Sequence, residues 1–330
     1  MFELIYVERE VLHHPQAKAI CKRFPDIIPV VCERYGEVFN RHAQNFRLQK
    51  QRPSLILARK FDHFVLPTPA GYGIGGTRNF YFSHMLNCIY DCRYCFLQGM
   101  YNSAHYVIFV NFDDFERAIE AKIKEAESEK SYFFSGYDCD SLALEPLTHF
   151  VENILPTFKR FPQAFLELRT KSINTTFLLK QPPQTNCIVA FSLTPKVISE
   201  ALEHRTPSLS RRLKALQELQ QRGWPIGLRF DPLIYCDNFQ EHYRQFFQEV
   251  FEAVHPSQLH SVSLGPFRLP KGIYKKMVAL YPDEKLFAFA LEDRGSMVSY
   301  YPSLEEKLTS FCKQELLQYI SPSCLFTCEF

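Results

Sequence analysis

Asn87-Cys88-Ile89-Tyr90-Asp91-Cys92-Arg93-Tyr94-Cys95-Phe96-Leu97-Gln98 sets three cysteines in a C-x3-C-x2-C spacing, directly after a β-type run at 80–85. Three thiolates on one short loop can wrap a cuboidal cluster, holding three irons of a [4Fe-4S] unit and leaving the fourth iron open to a further ligand. A structural zinc site normally takes four ligands, often as two separated pairs. Cys324 and Cys328 are a pair in principle, but beside the chain terminus they read better as two small residues of a last strand. Cys21, Cys32, Cys187, Cys236 and Cys312 each stand alone in an apolar context and read as small buried residues. Cys88, Cys92 and Cys95 are therefore the candidate metal ligands.

Outward from this loop the pattern becomes an alternation of short β-type runs, at 80–85, 132–135, 165–168, 188–193, 226–230 and 262–264, with amphipathic stretches. Phe115, Ala118, Ile119, Ile123 and Ala126 share one helical face, with Asp113 and Glu116 as a capping box. Ser208 opens a second helix carrying Leu209, Leu213, Leu216 and Leu219, which Gly223 closes. Six such repeats imply parallel strands with right-handed crossovers, so the fold class is α/β: a partial (β/α)6 TIM-type barrel, with its chemistry at the C-terminal ends of the strands. An extra β-like run falls at 106–110, and 302–320, opening with Ser303 and Glu306 as a capping box, reads as a closing helix. Residues 1–78 read as a small α/β lead-in domain, with strands at 2–7, 27–32 and Leu55–Ala58 and a helix around 11–22. The turn-rich 67–77 stretch marks the boundary with the barrel and its C-terminal extension at 79–330; its glycines suit a linker better than a phosphate cradle, since no long helix follows at once.

Composition narrows the function classes. A chain of 330 residues with 46% hydrophobic and 15% aromatic residues has the apolar mass for a real core, which excludes a disordered tail. Thirty-eight Lys and Arg against 36 Asp and Glu leave a formal charge of +2, so any nucleic-acid contact must come from a local patch. Two groups qualify, Arg205, Arg211, Arg212 and Lys214, and Arg268, Lys271, Lys275 and Lys276; acids surround both, and solvated helix faces are the plainer reading. Eleven cysteines, odd in number and without a preceding secretory signal, argue for reduced thiols. With no run of apolar residues long enough to span a bilayer, the expected location is the cytoplasm and no membrane partner is expected.

The C-x3-C-x2-C loop with Tyr94 before its third cysteine resembles the radical S-adenosylmethionine superfamily. Leu4-Ile5-Tyr6-Val7-Glu8, residues 87–98, Val110-Asn111-Phe112-Asp113-Asp114, Leu147-Thr148-His149, Arg169-Thr170-Lys171 and the 300–330 stretch resemble, more closely, the spore photoproduct lyase family over nearly the whole chain. The resemblance implies a [4Fe-4S] cluster and S-adenosyl-L-methionine as cofactors. It also implies DNA carrying a pyrimidine lesion as substrate and a reductant such as flavodoxin or ferredoxin as partner. It places Tyr94 beside the adenine, where an ordinary core aromatic would look the same. Ser135 and Asp140 become candidate acceptors for the methionyl ammonium, against a reading as turn residues, and Lys171 falls near the cofactor carboxylate. Ser192 fits a ribose or carboxylate contact, and Arg229 with Asp231 reads as a pocket pair or as a structural salt bridge.

Three departures accompany the resemblance. Tyr137 stands where the family commonly has a cysteine that returns a hydrogen atom to the product radical, and Cys139 lies two residues on, so either is a candidate catalytic donor. Phe96 replaces a tyrosine after the third cluster cysteine, and the stretch 292–301 is more acidic than the family's DNA-reaching hairpin. Three readings follow: a radical enzyme acting on a pyrimidine lesion or modified base in DNA; a radical enzyme acting on RNA, a peptide or a small metabolite; and a non-catalytic metal or nucleic-acid module.

Overall fold

A computed structural model describes residues 2–69, 71–126, 129–289 and 291–328. Among the described residues the largest sheet has eight strands and curls into a half-barrel. Seven run parallel: Arg78–Phe82, Ser131–Ser135, Ala164–Thr170, Cys187–Ser192, Ile226–Leu233, Leu259–Pro266 and Leu325–Thr327, here the first to seventh barrel strands. Leu66–Pro67 pairs antiparallel with the first strand at the edge. The six expected strands are present, and the last strand expected beside Cys324 and Cys328 is Leu325–Thr327, which joins the sheet as its seventh parallel strand. Every residue of the fourth strand is buried, as expected of a parallel strand covered on both faces.

Alternation along the strands sorts apolar from polar. Phe133, Leu166, Leu168, Val189, Leu228 and Val262 join the core that packs the sheet against its helices. Glu167 and Arg169, with Arg229, Asp231 and Ser263, line a small cavity on the inner face. Gly227 makes room there: a Cβ would come within 2.7 Å of the Arg229 guanidinium. The Phe112–Glu125, Phe150–Arg160, Leu209–Gln221 and Phe239–Ala253 helices supply much of the covering layer. Ser208 caps its helix by accepting from the Arg211 N–H, and Gly223 follows in a left-handed conformation at φ +90°, as the sequence implies.

A second sheet, of five strands, runs Val30–Cys32, Ile5–Glu8, Leu55–Ala58, Tyr106–Phe109 and Met85–Leu86, the last antiparallel. It draws strands from both sides of the 67–77 segment. A third sheet, Arg268–Pro270, Met297–Tyr300 and Leu291–Arg294, is antiparallel and includes a hairpin turning at Gly295. Two expected capping boxes are absent. The Phe112–Glu125 helix starts after Asn111, so Asp113 lies inside its first turn. The Pro302–Leu316 helix starts on Pro302, whose fixed φ suits the first helical position, and Ser303 is already helical. No helix among the described residues is long and apolar enough to cross a membrane.

Candidate active site

The three cysteines follow the first barrel strand, where backbone and side-chain bonds shape their loop. Asn87 takes a left-handed conformation, φ 67°, which asparagine tolerates, and its amide donates to Ser103 O at 2.8 Å and His105 O at 2.7 Å. Asp91–Cys92 pairs antiparallel with Glu203–His204, Arg93 N donates to Leu202 O at 2.8 Å, and Cys95 N donates to Cys92 O at 3.1 Å. Cys88, Cys92 and Cys95 are all free thiols. Burial pushes each of them up, opposed at Cys88 by Lys50, at Cys92 by Lys171 and at Cys95 by both. Among the described residues no three His, Cys, Asp or Glu side chains group around a single metal ion. A cuboidal cluster spaces its ligands wider than one ion does, and three loop thiols with two lysines set against their charge suit such an anionic cluster.

Tyr94 is buried, and its hydroxyl donates to Glu203. Burial alone would raise the Glu203 carboxyl, but the Lys171 and Arg212 cations and the Tyr94 hydroxyl hold it below its ordinary value. Arg212 is 0% exposed, pairs with Glu203, and donates to Ser192 O at 3.0 Å and Ser199 Oγ at 3.0 Å. It is therefore not part of a solvated basic face. The Lys171 ammonium lies 5.5 Å from the Tyr94 ring centroid. Asp140 ties the neighbouring loops together: Oδ1 accepts from Thr170 Oγ1 at 2.7 Å and Leu142 N at 3.0 Å, and Oδ2 from Lys171 N at 2.7 Å.

Other sequence candidates take less open positions. The Ser135 hydroxyl is buried and donates to Glu167 O at 2.8 Å, with Ser141 Oγ at the same distance. Arg229 is buried in an ion pair with Glu167 at 2.7 Å and not with Asp231, so the expected salt bridge within the pair does not form. Asp231 instead faces Arg169, 3.4 Å away, and Arg169 also donates to Ser192 Oγ at 3.3 Å and Tyr72 Oη at 3.0 Å.

The two donor candidates separate. Gly136, at φ +78°, turns the chain after the second barrel strand, where a Cβ would meet Ser141 Oγ at 2.7 Å. Tyr137 then stands half-buried, its ring 5.4 Å from Phe96 in the cysteine loop and 4.4 Å from Tyr81. Cys139 packs instead into the core of the lead-in sheet among Ile5, Met85 and Leu147, and burial pushes its thiol well up.

Residues 76–301 match the family profile described as spore photoproduct lyase. The chain belongs to the spore photoproduct lyase family. Spore photoproduct lyase of Bacillus subtilis (strain 168) is 24% identical over 86% of this chain and 83% of its own length, and that of Geobacillus sp. (strain Y412MC61) is 26% identical over 86% and 84%. A solved spore photoproduct lyase double mutant with bound AdoMet and dinucleoside spore photoproduct has a TM-score of 0.84 at 19% identity, covering 100% of this chain and 99% of its own. Another, complexed with dinucleoside spore photoproduct, gives 0.84 at 18% over the same shares. These likenesses establish the half-barrel fold.

Sequence reasoning passed over Lys50, Glu203 and Arg169, and misplaced Arg212. Lys50 reaches the cysteine loop from 38 residues away, donating to Cys88 O at 3.0 Å, and Tyr94 meets Glu203 across 109 residues. For Arg212 a signal existed: it lies three residues after Leu209 and four before Leu216, on the buried face of its helix.

Proposed function

We propose that this chain is a radical S-adenosylmethionine enzyme of the spore photoproduct lyase type, acting on a pyrimidine lesion in DNA. The observation that carries this reading is the loop of three free cysteines at the mouth of the half-barrel, in a chain of that family. Cys88, Cys92 and Cys95 would hold the [4Fe-4S] cluster. Such a cluster would supply one electron to S-adenosylmethionine, whose C–S cleavage to methionine would supply the 5′-deoxyadenosyl radical that abstracts hydrogen from the lesion.

The chain's own residues position and shield this chemistry. Tyr94, fixed by Glu203, would border the adenine, and Lys171 would offer a cation to the cofactor carboxylate. Asp140 orders the strand ends that carry Lys171 and is the candidate partner for the methionyl ammonium; Ser135, engaged with Glu167 O, supports the same turn. Ser192 and Asp231, bridged by Arg169, line the inner wall, while Arg229 holds that wall through Glu167. Tyr137, rather than Cys139, is the better placed hydrogen donor, because it is half-buried with its ring against Phe96 of the cysteine loop, whereas the Cys139 thiol, though near Cys88, is buried in the core of the lead-in sheet. Its phenolic O–H would break homolytically, forming a C–H bond on the product radical. The phenoxyl radical left behind regains its phenol by taking one electron from the reductant and one proton from water.

A second reading, a substrate other than DNA, is favoured by the hairpin. The hairpin's cation, Arg294, lies 2.9 Å from Glu305, and the hairpin's Asp293 pairs with Lys271 of the neighbouring helix, so these cations are already matched with acids. Anaerobic reconstitution followed by assay of lesion conversion in irradiated duplex and single-stranded DNA tests the two readings. Cofactor cleavage without any response to DNA would favour the second.

A further inference from the structure

Alternation along the cysteine loop sends Cys92 and Tyr94 into the barrel core and Asp91 and Arg93 to the opposite side. On that outer side lies a cavity of about 220 Å³ whose walls carry Arg47, Lys50, Arg93 and Arg205 against a single carboxylate, Asp91. The cations are held in place by other contacts. Lys50, 6% exposed, forms the floor, donating to Cys88 O at 3.0 Å and Tyr90 O at 3.1 Å. Arg93 lies 4.1 Å from the centroid of the Tyr281 ring, and Arg47, exposed at the rim, lies 5.8 Å from the same ring. Arg205 donates to Lys50 O at 2.9 Å. Arg93 Nη1 is 2.8 Å from Asp91 Oδ2, and Asp91 Oδ1 has no hydrogen-bond partner among the described residues. Arg93 and Arg205, held by these contacts, with Lys50 at the floor and Arg47 at the rim, focus a positive field on whatever enters the concave wall.

We propose that this pocket is the docking point of an acidic one-electron carrier protein that reduces the cluster, with a carboxylate of the carrier seated among Arg47, Arg93 and Arg205. The inference rests on the radical-enzyme reading above. Charge complementarity favours an acidic partner, and location favours a carrier over the lesion itself. The pocket lies on the face of the cysteine loop away from Tyr94, and a single hydrogen bond from Lys50 joins its floor to the backbone of Cys88. In the step concerned the carrier loses one electron and the cluster gains one, with no bond made or broken in the pocket.

The test uses the reconstituted full-length protein and a bacterial flavodoxin as probe. Binding of oxidised flavodoxin is measured by calorimetry, and reduction by the bleaching of cluster absorbance in stopped flow. An Arg47→Glu, Arg205→Gln double variant is expected to bind flavodoxin about tenfold more weakly at low salt and to be reduced by it correspondingly more slowly. Arg47→Glu alone, at an exposed side chain, is expected to show part of the same loss with unchanged thermal stability. Bleaching by dithionite should stay within about twofold, since that small reductant needs no docking surface. Unchanged flavodoxin affinity in both variants would overturn the proposal, as would a loss confined to oligonucleotide affinity, which would assign the pocket to nucleic acid. A wild-type protein that binds no iron, or does not bleach with dithionite, would instead remove the radical-enzyme reading on which the proposal stands.

Discussion

The cysteine loop at 87–98 and the loop that follows the second barrel strand at 136–141 are neighbours in space but differ in what they keep of the family pattern. The first keeps all three cysteines and a buried Tyr94 braced by Glu203 and Arg212. The second has Tyr137 where the resemblance places a thiol, and its own cysteine, Cys139, is turned into a core. On the function proposed above the contrast separates two steps of one chemistry: the loop that would generate the radical keeps its three cysteines, while the loop that would end the reaction has a different composition.

The largest expected effect lies in the first loop. Cys92→Ala should abolish both the iron-sulfur absorption and 5′-deoxyadenosine formation, because two protein thiolates cannot replace three. A variant that kept the chromophore would break the comparison at its stronger end. Next is Glu203→Ala, which leaves Arg212 charged and unpaired in the interior and should cost about 3–5 kcal/mol in denaturant unfolding. Glu203→Gln, which keeps an acceptor for Tyr94, should cost less.

A third prediction concerns the support beneath both loops. His84 is buried and stacks on Phe150 at 3.8 Å, and burial pushes its imidazole down to about 3 from an ordinary 6.5. The unfolded chain therefore binds the extra proton between those values while the folded chain does not. This contribution to stability is complete above pH 6.5 and is lost as pH falls, by about 1.4 kcal/mol per unit. His84→Phe should remove that share of the acid sensitivity. Urea unfolding of both proteins at pH 7 and pH 5 checks it, and equal losses in the two would refute the assignment.

The second loop is expected to yield smaller changes. Tyr137→Phe removes the hydrogen to be donated and should lower the yield of repaired product by about tenfold, while leaving cofactor cleavage in place. Cys139→Ala should change product yield little and cost only about 1–2 kcal/mol of stability, the loss of a small buried side chain. Reversal of these two outcomes, read by chromatography of the products, would return the donor role to the thiol.

The sequence made the first loop legible because its information is local: three cysteines and an aromatic within eight positions, after a recognisable strand. The barrel was legible for the same reason, since each βα repeat carries its own periodicity. A last strand beside Cys324 and Cys328 is legible, but Leu325–Thr327 is too short for a period to assign it to the barrel, and its place beside Leu259–Pro266 comes from pairing with a strand about sixty residues earlier. The electrostatic frame of the site was hardest to read. Lys50, Glu203 and Arg212 come from three separate elements, and nothing around Lys50 in the chain marks it as buried. Arg212 sat among Arg211 and Lys214 as though in a surface patch, although its spacing from Leu209 and Leu216 puts it on the inner face. The two capping boxes failed for a simpler reason. Asn111 and Pro302 begin their helices one or two positions before the residues that fit the motif.

The central claim is tested most directly by anaerobic reconstitution of the full chain and measurement of 5′-deoxyadenosine after reduction, with and without ultraviolet-irradiated DNA. Four irons per chain are expected, with 5′-deoxyadenosine that depends on Cys88, Cys92 and Cys95 and stimulation by irradiated DNA over unirradiated DNA. A reconstituted protein that holds its iron but forms no 5′-deoxyadenosine under either condition would contradict it.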